Sequence, residues 1–189
     1  MGRTLRDALT LSIVLMVLPL LLLACSRGVT LPNAVPPLEG YKDVALSGSV
    51  LGIVSVETDD TNFLIYHSAR HGSFHGNRRL WCDTLVATLS EELSKRGANI
   101  LPSTATGFML KLPEISGRSG YIAISFQAKA VVTSSAGWTK TYEGQASSSE
   151  LGTSFETRAA RAASSTVVEL VKAMFADPEF ISQVKGAKR

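Results

Sequence analysis

His67, His71 and His75 are all of the histidines in the chain, and they fall at successive intervals of four residues. Neutral imidazole is a common metal ligand, and on a continuous helix this spacing would align three side chains on one face, where they could share a Zn²⁺ ion. Gly72 and Gly76, with Ser68 and Ser73, argue against a helix there. No cysteine or carboxylate beside the histidines completes a site. Residues 68–77 therefore read as a polar surface loop, and metal or small-ligand binding by the loop from His67 to His75 is the alternative. Paired carboxylates, which general acid–base work would need, occur at Asp59-Asp60 and Glu91-Glu92. The first pair follows a strand pattern and the second lies on a helix pattern, so they read as a turn and a solvated helix face. Arg78 and Arg79 could meet phosphate groups, but two arginines at a helix start read as surface residues.

No G-x-S-x-G elbow, C-x-x-C pair, glycine-rich phosphate loop or H-E-x-x-H signature occurs. The chain therefore reads as noncatalytic, with no catalytic, cofactor-binding or metal residue assigned and no cofactor. A net charge of +3 on 189 residues, lower by one once the first 24 residues are removed, is too small to argue a nucleic-acid surface. Hydrophobic residues make up 45% and charged residues 19%, which supplies a packed core and excludes disorder.

The location is written at the N-terminus. Arg3 and Arg6 precede a nearly all-apolar run over residues 9–23 that ends at Ala24-Cys25, the order of a signal peptide. As a membrane span the run is short of the ~20 residues that a bilayer core needs, and it contains Pro19. Leu22-Leu23-Ala24-Cys25 resembles the lipobox of bacterial lipoproteins. The resemblance implies that residues 1–24 are removed and that Cys25 is acylated and becomes the new N-terminus. Ser26 follows in place of an aspartate, which by analogy with Gram-negative sorting implies the outer membrane. The only other cysteine, Cys82 beside Trp81, is then left without a disulfide partner and reads as a small buried hydrophobe.

Behind the anchor, residues 25–41 carry Pro32, Pro36 and Pro37 without hydrophobic period, which predicts an extended tether reaching roughly 45 Å at ~3.1 Å per residue. The remaining residues, 42–189, make one domain. Strands are expected at 50–56, 62–67, 99–101 and 108–112, the last stopped by Pro113. A helix is expected over 78–96, where Leu80, Trp81, Leu85, Val86, Leu89 and Leu93 recur at helical spacing and Gly97 closes it. Residues 121–133 alternate, with Ile122, Ile124, Phe126, Ala128, Ala130 and Val132 on one face. A three-residue loop at 135–137 should set Ala130 opposite Tyr142 and Phe126 opposite Ala146 in the next strand. Thr153 with Glu156 has the pattern of a capping box for a helix to residue 175, and Asp177-Pro178 opens a short last one. This order gives an α+β fold, an antiparallel sheet or meander with two main helices on one face.

The lipobox at Cys25, the Leu85/Leu89/Leu93 helix ending at Arg96-Gly97, the alternating strand from Tyr121, and Val167, Leu170 and Pro178-Glu179-Phe180-Ile181 together resemble the YajG-like lipoproteins of Gram-negative bacteria. More distantly they are similar to auxiliary lipoproteins of ABC-type envelope transport systems. The resemblance covers about residues 50–185. It implies a lipid-anchored accessory that faces the periplasm and binds a protein partner in envelope assembly or transport, with no nucleic acid.

Overall fold

The alternating residues of the predicted central strand build the middle of the fold. β7 (Ile124–Ser134) turns Ile124, Phe126, Ala128, Ala130 and Val132 inward, none more than 1% exposed. The strand starts later than the alternation suggested: Ile122 lies in the preceding turn and is half exposed. The computed structural model describes residues 26–28, 38, 44–57, 62–68, 72–102, 106–120 and 122–187. β8 (Thr139–Ser148) returns antiparallel with Ala130 opposite Tyr142 and Phe126 opposite Ala146, as expected. Gly137 takes a left-handed conformation (φ 88°) in the three-residue loop.

β6 (Gly107–Ser119) pairs with the other side of β7, antiparallel, and β2 (Val50–Ser55) and β5 (Asn99–Ile100) complete a sheet of order β5-β2-β6-β7-β8. The fold is α+β with a mostly antiparallel, mixed sheet: β2 runs parallel to both β5 and β6. β6 also continues through Pro113, where a stop was expected. The ladder to β7 shifts register between Lys111 and Glu114, and at such an irregularity the proline's missing N–H breaks no hydrogen bond.

Among the described residues, three helices cover one face of the sheet. α1 (Arg78–Lys95) is capped by Asn77, whose Oδ1 accepts from the Leu80 amide at 2.9 Å. Trp81, Cys82, Leu85, Leu89 and Leu93 are its fully buried stripe. α2 (Phe155–Phe175) buries the expected Phe155, Ala159, Ala163, Val167, Leu170, Val171 and Met174. Its cap is Ser154 rather than Thr153, and Ser154 Oγ accepts from the Thr157 amide at 3.1 Å. α2 lies close to β8 because Gly144 offers no side chain: a Cβ there would sit 2.7 Å from the Thr166 carbonyl oxygen. α3 (Pro178–Gly186), capped by Asp177 as expected, wedges Phe180 among Phe108, Trp138, Tyr142 and Phe175.

The expected loop at 68–77 is instead mostly strand. β4 (Gly72–Asn77) forms an antiparallel hairpin with β3 (Asn62–Ser68), and Phe74 is buried at 1% exposure. Glycines at 72 and 76 remove the side chains that would have shown the alternation. Short β1 (Ser26–Gly28) adds to β4 in parallel, and Leu38 is buried in the core. The expected tether is thus not a free spacer over its whole length, because both places fold onto the domain. Cys25, residues 1–24 and most of the stretch to residue 41 lie outside the described residues. Among the described residues no helix is long and apolar enough to cross a membrane.

Candidate functional site

On the sheet face that the helices leave bare, β2 and β6 set Gly52 beside Gly107 and Val54 beside Met109. The two glycines leave a gap in the side-chain layer, walled by Val54, Met109, Pro102 and Ser135, that forms a cleft of about 270 Å³. A Cβ on Gly107 would fall 2.4 Å from the Gly52 carbonyl oxygen, so the strands pair this closely only with glycine there. Val54 is 43% exposed, Met109 40% and Val56 41%, a contiguous apolar row beside the cleft. The Ser135 hydroxyl accepts from the Gly107 amide at 3.2 Å. A second hollow of about 330 Å³ shares Gly107, Phe108 and Ser135 and runs towards Ser182 and Gly186 of α3. Among the described residues, neither hollow is lined by an ionisable side chain. Such a surface can bind an apolar segment.

The residues singled out in the sequence lie elsewhere. His67 sits opposite Ser73, with Nδ1 2.9 Å from Ser73 Oγ, and His75 sits opposite Leu64. His71, Asp59 and Asp60 lie outside the described residues. Among the described residues no three of His, Cys, Asp and Glu come together as a metal site. Asp83 is exposed near Arg79 at 3.8 Å, and Glu91 is exposed and paired with Lys95 at 2.7 Å.

Glu92 departs from the solvated helix face expected of it. It is 4% exposed, its Oε2 accepts from Arg96 Nη1 at 2.7 Å, and the same Nη1 donates to the Glu92 carbonyl at 2.7 Å. The Arg96 guanidinium lies 4.4 Å from the centre of the Phe175 ring. Burial pushes the Glu92 carboxyl upward, but hydrogen bonds from Arg96 and Lys95 outweigh it and hold the group below the usual carboxylate range. Glu92 falls two turns after Leu85 on the apolar stripe and one turn before Arg96, a spacing at which the two side chains meet on the helix.

A second polar cluster carried no sequence signal. The Tyr142 hydroxyl donates to Asp177 Oδ2 at 2.5 Å, and Lys140 approaches the same carboxylate at 3.0 Å. Burial, then the Asp177 bond, drives the Tyr142 hydroxyl far above its ordinary range. The cluster clamps β8 to the start of α3.

Cys82 is fully buried, and its Sγ donates to the Leu110 carbonyl at 3.4 Å. Burial raises its pKa, more than the Ser55 hydrogen bond lowers it. A thiol reagent should therefore leave Cys82 of the native protein unlabelled and react fast only in denaturant. Equal rates in both states would contradict this.

No family model matches the sequence, and no curated protein matches it. Solved structures do resemble it. A minor lipoprotein of Acinetobacter baumannii aligns at TM-score 0.38 and 12% identity, over 80% of this chain and 94% of its own. A Xanthomonas campestris protein of the family DUF330 aligns at TM-score 0.52 and 10% identity, over 85% of this chain and 95% of its own. What this chain shares with the Xanthomonas campestris protein, at that identity, is the fold.

Proposed function

We propose that this chain is a noncatalytic lipoprotein, anchored through Cys25 to the outer membrane and facing the periplasm, that binds a protein partner in envelope assembly or transport. The observation that carries the binding role is the apolar cleft over Gly52 and Gly107 with its exposed row Val54, Val56 and Met109. Grooves of this make-up fit an apolar segment of another protein. The anchor is read from Leu22-Leu23-Ala24-Cys25 at the end of the apolar run. Attachment to a membrane raises the local concentration near envelope partners, so individually weak contacts suffice. The resemblance to YajG-like lipoproteins, and more distantly to auxiliary lipoproteins of ABC-type systems, belongs to this reading.

The test is Cys25→Ala. The domain should stay folded, leave the membrane fraction and fail to restore any envelope defect of a deletion strain. Single changes at Asp83, Glu91 or His71 should have little effect. Met109→Asp should keep membrane attachment while losing partner crosslinks at the cleft. Full restoration by the unanchored domain would overturn the proposal.

A further inference from the structure

β1 begins at Ser26, one peptide bond from Cys25, and is held in register on β4, with Ser26 opposite Ser73 and Gly28 opposite His75. Phe74 of β4 packs on Phe155 at the start of α2, with ring centres 4.4 Å apart. One turn further, Arg158 Nη1 donates to the Ile122 carbonyl in the β6–β7 turn at 2.5 Å. Arg161 is ion-paired with Glu150 in the β8–α2 connection. α1 starts directly after β4, with Asn77 as its cap. β1 runs along β4 towards the start of α1, about four residues or ~13 Å beyond Ser26 at ~3.3 Å each, and through Phe74 the same short strand touches the start of α2 and its two connecting loops, so the point where the chain joins the domain lies within one strand of all of them.

That end also carries aliphatic side chains turned to solvent. Leu151 is 83% exposed, Ile122 49% and Leu80, in the first turn of α1, 40%. Single exposed leucines are ordinary, but three around the point of attachment are a pattern. Arginines surround them: Arg79 and Arg118 are exposed, and Arg158 and Arg161 lie in the opening turns of α2. Of the carboxylates at this end, Asp83 and Glu150 are each paired with an arginine, and Glu156 is exposed in the first turn of α2 beside Arg158 and Arg161 in the sequence. Aliphatic loop tips ringed by arginine suit the boundary between anionic headgroups and acyl chains.

We infer that this end of the domain rests on the lipid bilayer, with Leu151, Ile122 and Leu80 inserted at the interface, so that the anchor fixes orientation as well as location. The inference rests on the reading of Cys25 as the lipidated residue. With β1 starting at the next residue, consecutive Cα atoms only ~3.8 Å apart leave no spacer between lipid and domain. The cleft over Gly52 and Gly107, beside the β7–β8 loop, then lies at the end of the sheet away from the contact, open to the periplasm.

The full lipidated protein, reconstituted in vesicles of phosphatidylethanolamine and phosphatidylglycerol that carry nitroxide-labelled lipid, tests this. A fluorophore is placed at Leu151→Cys, at Ile122→Cys, or at Ser182→Cys on α3, which follows a helix ~30 Å long at 1.5 Å per residue. Quenching severalfold stronger at 151 and 122 than at 182 is expected. Equally weak quenching at all three, in protein that floats with the vesicles, overturns the inference while leaving the anchor standing. Burial of the labels in native membranes but not in pure lipid points to a protein occupant and overturns it too. Protein that does not float refutes the anchor itself, and this inference with it.

Discussion

Arg96→Ala is expected to lower the unfolding free energy by about 3–5 kcal/mol, the usual loss when one partner of a buried ion pair is removed. Arg96 and Glu92 have side chains only 7% and 5% exposed, and the guanidinium is the group that lets the carboxylate stay inside. Lys95 approaches the other Glu92 oxygen at 3.0 Å, but it is about half exposed and shared with Glu91. Arg96→Lys should recover little, because one ammonium cannot reach both the carboxylate and the Glu92 carbonyl while lying flat on Phe175. Glu92→Leu combined with Arg96→Met, by contrast, should restore most of the stability. The pH dependence has a defined sign. Glu92 has a lower pKa in the folded than in the unfolded chain, so its contribution is complete above the ordinary carboxylate range and fades as pH falls through the lowered folded value. The double variant should lose less stability on acidification than the wild type. Denaturant unfolding of the four proteins at neutral and acid pH checks each of these statements.

Gly144→Ala is expected to destabilise by on the order of 2–3 kcal/mol through overpacking. The new Cβ would lie 2.7 Å from the Thr166 carbonyl oxygen and 2.9 Å from the Leu170 amide nitrogen. These are backbone atoms of α2, which cannot rotate out of the way as a side-chain tip can. The helix must lift from β8, and that loosens the seat of Val167, Leu170 and Val171. Gly186→Ala is the control: nothing lies within 4 Å of its added Cβ, and the stability should hardly change. If both variants melted together, close packing of α2 on β8 would not be what Gly144 provides.

The elements legible in the sequence were those with an unbroken period. β7 and β8 alternate over their whole length, and the parity of the loop fixed which residues face each other. α1 and α2 show a clear apolar stripe, and Asp177-Pro178 marked α3. Several misses arise where side chains were absent or contradicted the local rule. Gly72 and Gly76 hid β4, and Pro113 hid the continuation of β6. Glu92 read as solvent-facing because charge outweighed its position on the stripe. Ser154 and Thr153 are equivalent caps by residue type, and only backbone geometry separates them. The cleft was invisible for a deeper reason. It is made by two glycines far apart in the chain, and only the parallel pairing of β2 with β6, which no local pattern announces, brings them together.

That pairing also sets an order of assembly. β6, β7, β8 and α2 follow one another through short connections, so their contacts close small loops. β2, by contrast, meets β6 only after β3, β4, α1 and β5 have intervened, and such non-local closure is slow. In a chain made N-terminus first, β2 emerges early and is seated late. Until β6 arrives, Leu51, Ile53 and Val54 form a short, mostly β-branched strand whose long edge is open and whose other edge is met only by the two residues of β5, the kind of segment that recruits other chains. Before β6 is in place this protein is therefore most exposed to aggregation not at its long hairpins but at the strand it presents first, and a holding chaperone would have most to protect there.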